Sequence, residues 1–208
     1  MNYLYKTNTY SIDYLSVIDE CLLSMAYYST ALRDKLFENT KIMKFPKGSY
    51  IIKEGQYLKG GFSIISGCVK EYYYLNKEQK ITQFFTENDI MPIVAVNAEV
   101  KVGFYWECME ETIVTFETIA NRQQIFTEFP FLMSISFQYM QQSFMDYRNT
   151  MHQYVLSSPE ERYLSLVAKK PELVNRLPQY EIANYIGIKA ESLSRIRRRL
   201  YDFERNNN

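Results

Sequence analysis

Histidine is nearly missing from this chain, and cysteine is scarce. Of 208 residues one is histidine, His152, and three are cysteine, Cys21, Cys68 and Cys108. A metal-dependent enzyme on a β-roll gathers several histidines and a carboxylate around one ion, and a single histidine cannot supply that set. Nor does it leave a Ser–His–Asp or Cys–His arrangement at a plausible site, so no enzyme activity is expected. Three isolated cysteines fall short of the four thiolates of an iron–sulfur cluster. Haem has only His152 to use, and a lone histidine within a helix reads as a surface or packing residue. The odd number and wide scatter of the thiols fit a reducing cytoplasm better than a disulfide framework. No apolar run approaches membrane-spanning length, and Met1-Asn2-Tyr3-Leu4-Tyr5-Lys6 contains no signal-peptide core. Net charge is absent too, with 24 basic and 24 acidic side chains. Only the distribution of charge can therefore point to a polyanionic partner.

That distribution is uneven. Between Gly187 and Leu200 there are five basic residues and one acid. The stretch begins with Tyr180-Glu181-Ile182-Ala183-Asn184-Tyr185-Ile186-Gly187, in which Ile182, Ala183 and Ile186 form one apolar stripe. Leu193, Ile196 and Leu200 form a second stripe at helical spacing. Gly187 stands where a tight turn between two helices needs a positive φ. The pattern predicts a helix-turn-helix whose second helix, residues 190–200, offers Glu191, Ser192, Arg195, Arg198 and Arg199 to base edges and phosphates. A solvated arginine face on an ordinary helix pair fits the same spacing.

Upstream the chain changes character twice. Residues 11–40 carry a helical pattern through Leu15, Ile18, Leu22, Leu23, Leu32 and Leu36. From Phe45-Pro46-Lys47-Gly48 short β-forming runs alternate with turn residues: 50–52, 62–65, 69–75, 81–85 and 113–116, with Gly55, Gly60-Gly61 and Gly67 read as turns. Such spacing predicts a small antiparallel barrel or roll. After Phe129-Pro130 an apolar heptad runs through Met133, Phe137, Met140, Phe144, Tyr147, Met151 and Tyr154. A second stripe, Leu132, Ile135 and Tyr139, is expected to cover the roll, leaving the heptad for a partner. Ser158 then reads as the cap of a helix from Pro159 to about Lys169, with Tyr163, Leu166 and Val167 as its packing surface.

Two separated stretches resemble one family. Ala190-Glu191-Ser192-Leu193-Ser194-Arg195 is similar to the Arg-Glu-(Thr/Ser)-x-x-Arg opening of the recognition helix in Crp/Fnr transcription regulators, with Ala190 replacing the first arginine. Pro46-Lys47-Gly48, Ile51, Gly55, Ile65, Gly67 and Val69 resemble the start of that family's cyclic-nucleotide-binding β-roll. Together they cover most of the chain from Lys41 to Leu200. The resemblance implies an α+β fold with an N-terminal antiparallel, jelly-roll type β-roll, a long dimerisation helix and a C-terminal helix-turn-helix domain. The corresponding boundaries are 1–128, 129–156 and 157–208.

It also implies a cytoplasmic bacterial homodimer on double-stranded DNA with an inverted-repeat operator, and RNA polymerase as a further partner. Lys189, Ala190, Glu191, Ser192, Arg195, Arg198 and Arg199 would face the DNA. Met133, Phe137, Met140, Phe144, Tyr147, Met151 and Tyr154 would form the dimer interface. The family's nucleotide cassette is not matched: Pro92-Ile93 stand for its Gly-Glu and Gly103-Phe104 for its Arg-Ser. Without that arginine a buried phosphate is costly, so cyclic nucleotide is expected not to bind in the family's manner, and no cofactor is expected. Phe84, Ile93, Phe104, Tyr105 and Trp106 are left as an effector pocket or as plain core. Eight residues after Leu200 are too few for the family's β-hairpin wing, and the last of them are expected to lack order. The competing reading is a ligand-binding or protein-interaction module with a degenerate helix-turn-helix.

Overall fold

The β-forming runs between Lys41 and Thr118 pair into two four-stranded sheets in a computed structural model that describes residues 29–91 and 101–207. Over those residues the strands are β1 Lys41–Phe45, β2 Tyr50–Ile52, β3 Gly60–Ser66, β4 Val69–Leu75, β5 Glu78–Phe85, β6 Ile90–Met91, β7 Tyr105–Cys108 and β8 Thr112–Thr118. One sheet has the order β1-β8-β3-β6 and the other β2-β7-β4-β5. The pairings of β8 with β1 and β3, of β7 with β2 and β4, and of β3 with β6 are antiparallel. The expected β-roll is therefore present. Its core lies between the inner faces, where alternate residues of each strand point.

Trp106 is fully buried in that core, with ring centroids 5.1 Å from Phe104, 6.0 Å from Phe85 and 6.1 Å from Phe62. A buried indole N–H left unpaired would cost about 1–3 kcal/mol; here Nε1 donates to Glu71 Oε2 at 2.9 Å. Three strands escape the pattern reading. β1 carries Lys41 and Lys44, β6 is two residues long, and β7 holds the aromatic residues read as a pocket lining. Gly60-Gly61, expected in a turn, lies inside β3. A Cβ at Gly60 would collide with the carbonyl of Glu117 on β8, so this glycine permits close strand approach rather than reversal. Cys68 and Cys108 are buried with no disulfide, and burial pushes the Cys108 thiol up to about 11.

The helices are α1 Thr30–Asn39, α2 Ile119–Glu128, α3 Phe131–Leu156, α4 Pro159–Lys169, α5 Pro171–Arg176, α6 Gln179–Tyr185 and α7 Ala190–Asn207. Ser29 caps α1 by accepting from the Leu32 N–H at 3.2 Å. The remainder of the expected N-terminal helical pattern, with Leu15, Ile18, Leu22 and Leu23, lies outside the described residues. α2 and α5 were not foreseen. α2 shows no strong apolar stripe, and α5 is a six-residue helix that starts at Pro171, a residue that reads as a break. The second stripe of α3 also differs from expectation. Leu132 and Ile135 join Leu32, Leu36 and Ile125 in a helix–helix cluster instead of covering the roll, and Tyr139 is exposed.

The chain divides into two compact units, Met1–Tyr73 with Gln83–Ile135, and Tyr74–Thr82 with Ser136–Asn208. The tip of the β4–β5 hairpin thus belongs with the C-terminal helices.

Candidate nucleic-acid interface

The second unit builds its DNA-facing candidate on a capped helix. Ser158 and Glu161 form a capping box at the start of α4: the Glu161 N–H donates to Ser158 Oγ at 3.3 Å, and the Ser158 N–H donates to Glu161 Oε2 at 2.7 Å. This matches the cap read from the sequence. The backbone and side-chain bonds from Ser158 hold the Glu161 carboxyl below its ordinary range. A lowered acid stabilises the cap above the unfolded pKa, and that contribution disappears as pH falls through the lowered folded value.

Tyr163 and Leu166 turn inward from α4, and Leu173 of α5, Ile182, Ala183 and Ile186 of the α6 end, and Leu193 of α7 are buried with them. Each lies on an apolar stripe, so amphipathic spacing alone accounts for how α6 and α7 pack. Gly187 sits at φ +77°, as the turn demands, and its N–H donates to the Asn184 carbonyl at 3.0 Å. Arg162 ties this turn to the end of α3. Its Nε donates to the Ile186 carbonyl at 2.9 Å, while Nη1 donates to the carbonyls of Ser157 at 2.6 Å and Tyr154 at 3.2 Å. The same guanidinium lies 5.0 Å from the Tyr154 ring centroid. Five donors in a rigid fork suit an arginine for collecting three carbonyls at once. No spacing rule pointed to Arg162 or Tyr154 in this role; only folding brings them together.

On α7 the apolar stripe fixes the orientation of everything else. Leu193 is buried, so Glu191, Ser194, Arg195, Arg198 and Arg199 are exposed, as is Lys189 just before the helix. Ala190, Ser192 and Arg197 are half-buried. Arg195 Nη2 donates to Ser192 Oγ at 3.3 Å, one helical turn away. Arg199 is ion-paired with Glu160 of α4, which ties this arginine into its own unit. The helix continues to Asn207, so the last residues, expected to lack order, are helical as far as Asn207.

The residues grouped as an effector pocket do not all behave alike. Phe84, Phe104 and Trp106 are buried, and Phe104 and Trp106 belong to the main core of the roll. Tyr105 lies on the opposite side of its strand, stacked on Tyr72 with centroids 5.0 Å apart, and its hydroxyl meets Glu54 Oε2 at 3.2 Å. Ile93 lies outside the described residues. Where a phosphate-binding arginine would be expected, Gly103 is exposed and Phe104 is packed against Trp106.

The seven heptad residues of α3 share one condition. Met133, Phe137, Met140, Phe144, Tyr147, Met151 and Tyr154 are each between 45% and 64% exposed. A 26-residue helix with so continuous an apolar stripe facing water far exceeds the scattered apolar exposure normal for a soluble chain.

No family model matches the sequence, and no curated protein matches it either. Solved structures do match. FixK2 from Bradyrhizobium japonicum superposes with a TM-score of 0.67 at 15% identity, covering 79% of this chain and 86% of that one. The c-di-GMP-responsive global regulator CLP from Xanthomonas campestris gives 0.65 at 13% identity, over 85% and 93%. A protein of Eubacterium rectale assigned to the Crp/Fnr transcriptional regulators gives 0.62 at 15%, over 84% of each chain. The fold is that of the Crp/Fnr regulators. Identities this low establish the architecture, an antiparallel β-roll followed by a long helix and a helix-turn-helix, and nothing about ligands. Among the described residues no helix is long and apolar enough to cross a membrane.

Proposed function

We propose that this protein is a homodimeric, sequence-specific DNA-binding transcription regulator of the Crp/Fnr type, working in a bacterial cytoplasm alongside RNA polymerase. The observation that carries the reading is α7: Leu193 anchors it while Lys189, Glu191, Arg195 and Arg198 stay exposed on the surface left free. Arg195 suits bidentate contact with a guanine, Glu191 suits a cytosine amino group, and Lys189, Arg197 and Arg198 suit phosphates. Arg199 also suits a phosphate, which would compete with Glu160 for its guanidinium.

Pairing of the α3 seams around a two-fold axis presents two α7 helices to successive major grooves, about 34 Å apart. Duplexes selected from a random pool by the full-length protein should therefore converge on an inverted repeat. A pool that showed no enrichment would favour the ligand-binding or protein-interaction reading instead.

The same reading holds that cyclic nucleotide is not the signal. A cyclic phosphate needs a charged fork to replace its lost hydration, and the matching positions hold Gly103 and Phe104. Calorimetric titration with cyclic AMP and cyclic GMP should give no saturable heat at micromolar concentration. A binding isotherm there would contradict this part of the proposal.

A further inference from the structure

The side chain of Asn184 makes two contacts that the helix-turn-helix does not need for its own folding. Its Oδ1 accepts from the Ile81 N–H at 2.9 Å, and its Nδ2 donates to the Gln79 carbonyl at 2.7 Å. Both partners are backbone groups of β5, two residues apart, and they fix which end of the amide is oxygen. β5 is the edge of its sheet. An edge strand presents unpaired N–H and C=O groups at every second residue, and Asn184 occupies one such pair as a neighbouring strand's peptide would. Beside these bonds the Ile81 side chain is buried. The hairpin is closed by Asn76 and Lys77, both at positive φ (52° and 67°), which marks a tight two-residue turn whose twist keeps its strands together.

Asn184 also belongs to the turn. Its carbonyl accepts from the Gly187 N–H, so one residue grips the hairpin by its side chain and the inter-helix turn by its backbone. With the hairpin held in this way, Lys189, Glu191, Arg195 and Arg198 remain exposed, so the contact braces the reading helix without covering it.

We infer that Asn184 is a positioning residue: its carboxamide holds the β4–β5 hairpin tip against α6 and the turn that follows it, and thereby steadies the α6–α7 pair at the one half-site spacing that a dimer accepts. This rests on the DNA-binding reading above and adds a part to it.

The test compares the full-length protein with Asn184→Ala in two measurements. Without DNA, amide exchange at Ile81 should accelerate by more than about tenfold in the variant, while Val69 to Tyr72 are unchanged. With DNA, both proteins meet the selected operator and copies whose half-sites are moved one base pair apart or together. The parent should prefer its own spacing by at least about tenfold, and the variant by less than about threefold, with non-specific binding at low salt and dimerisation kept. Loss of fold would weaken every duplex alike and would not flatten the spacing preference. Unchanged exchange at Ile81, or an intact spacing preference in the variant, would overturn the inference. A parent that bound no operator would instead sink the regulator reading, and the exchange measurement would still decide whether Asn184 holds the hairpin.

Discussion

Phe144→Glu should leave the protein monomeric at micromolar concentration and weaken operator binding by about 10²–10⁴-fold. Phe144 stands at the middle of the α3 seam and is 64% exposed in one chain. Pairing would bury it twice, once from each protomer, and burying a phenylalanine contributes about 1.5–3 kcal/mol each time. The substitution removes both contributions and sets two carboxylates facing each other in a low-dielectric seam, where like charges are costly. The DNA term follows from the dimer: one recognition helix makes half the contacts and loses the gain from a second, tethered one. Sedimentation or light scattering reads the first effect and a gel shift the second. A dimeric Phe144→Glu protein would mean that the apolar stripe of α3 is covered by something other than its own copy.

Gly187→Val should destabilise the C-terminal unit by about 3–4 kcal/mol, out of the roughly 5–15 kcal/mol that a typical domain has. Two costs combine. A side chain at φ +77° is strained by about 1–2 kcal/mol, and a β-branched one fits that region worst. A Cβ at this position would also stand 2.5 Å from Tyr154 Oη. Tyr154 can swing away only by giving up its place under the Arg162 guanidinium. Gly187→Ala should cost less than Gly187→Val, about 1–2 kcal/mol for the backbone together with the displacement of Tyr154, and adding Tyr154→Phe should recover the second share but not the first. Thermal melts of the single and double variants separate the two terms. If Gly187→Val melted with the parent, the positive-φ turn would not be holding the two helices in register.

Much of this structure was legible in the residues, and the reasons differ by element. Amphipathic period and capping chemistry are local, so α4 was read to its cap at Ser158 and the pair α6–α7 to its glycine. Strands with alternating β-formers, β3 to β5, were equally local. β1, β6 and β7 escape a pattern reading because lysines, brevity or the adjacent aromatics Tyr105 and Trp106 hide a period of two, and only pairing with β8, β3 and β2 or β4 defines them. Gly60 looked like a turn residue because the neighbour that requires it, Glu117, lies far away in sequence. The candidate site divides in the same way. The exposed face of α7 follows from where Leu193 must go, whereas the Arg162 fork, the Arg199–Glu160 pair and the Asn184 brace join residues that no spacing rule connects.

The most direct measurement is the affinity of Arg195→Ala for the selected operator and for every single-base variant of it. One symmetric pair of positions should lose its base preference, with about 1–3 kcal/mol of discrimination gone, while affinity for random duplex stays close to the parent's. If Arg195→Ala kept the parent's preference at every position, α7 would not be reading the groove.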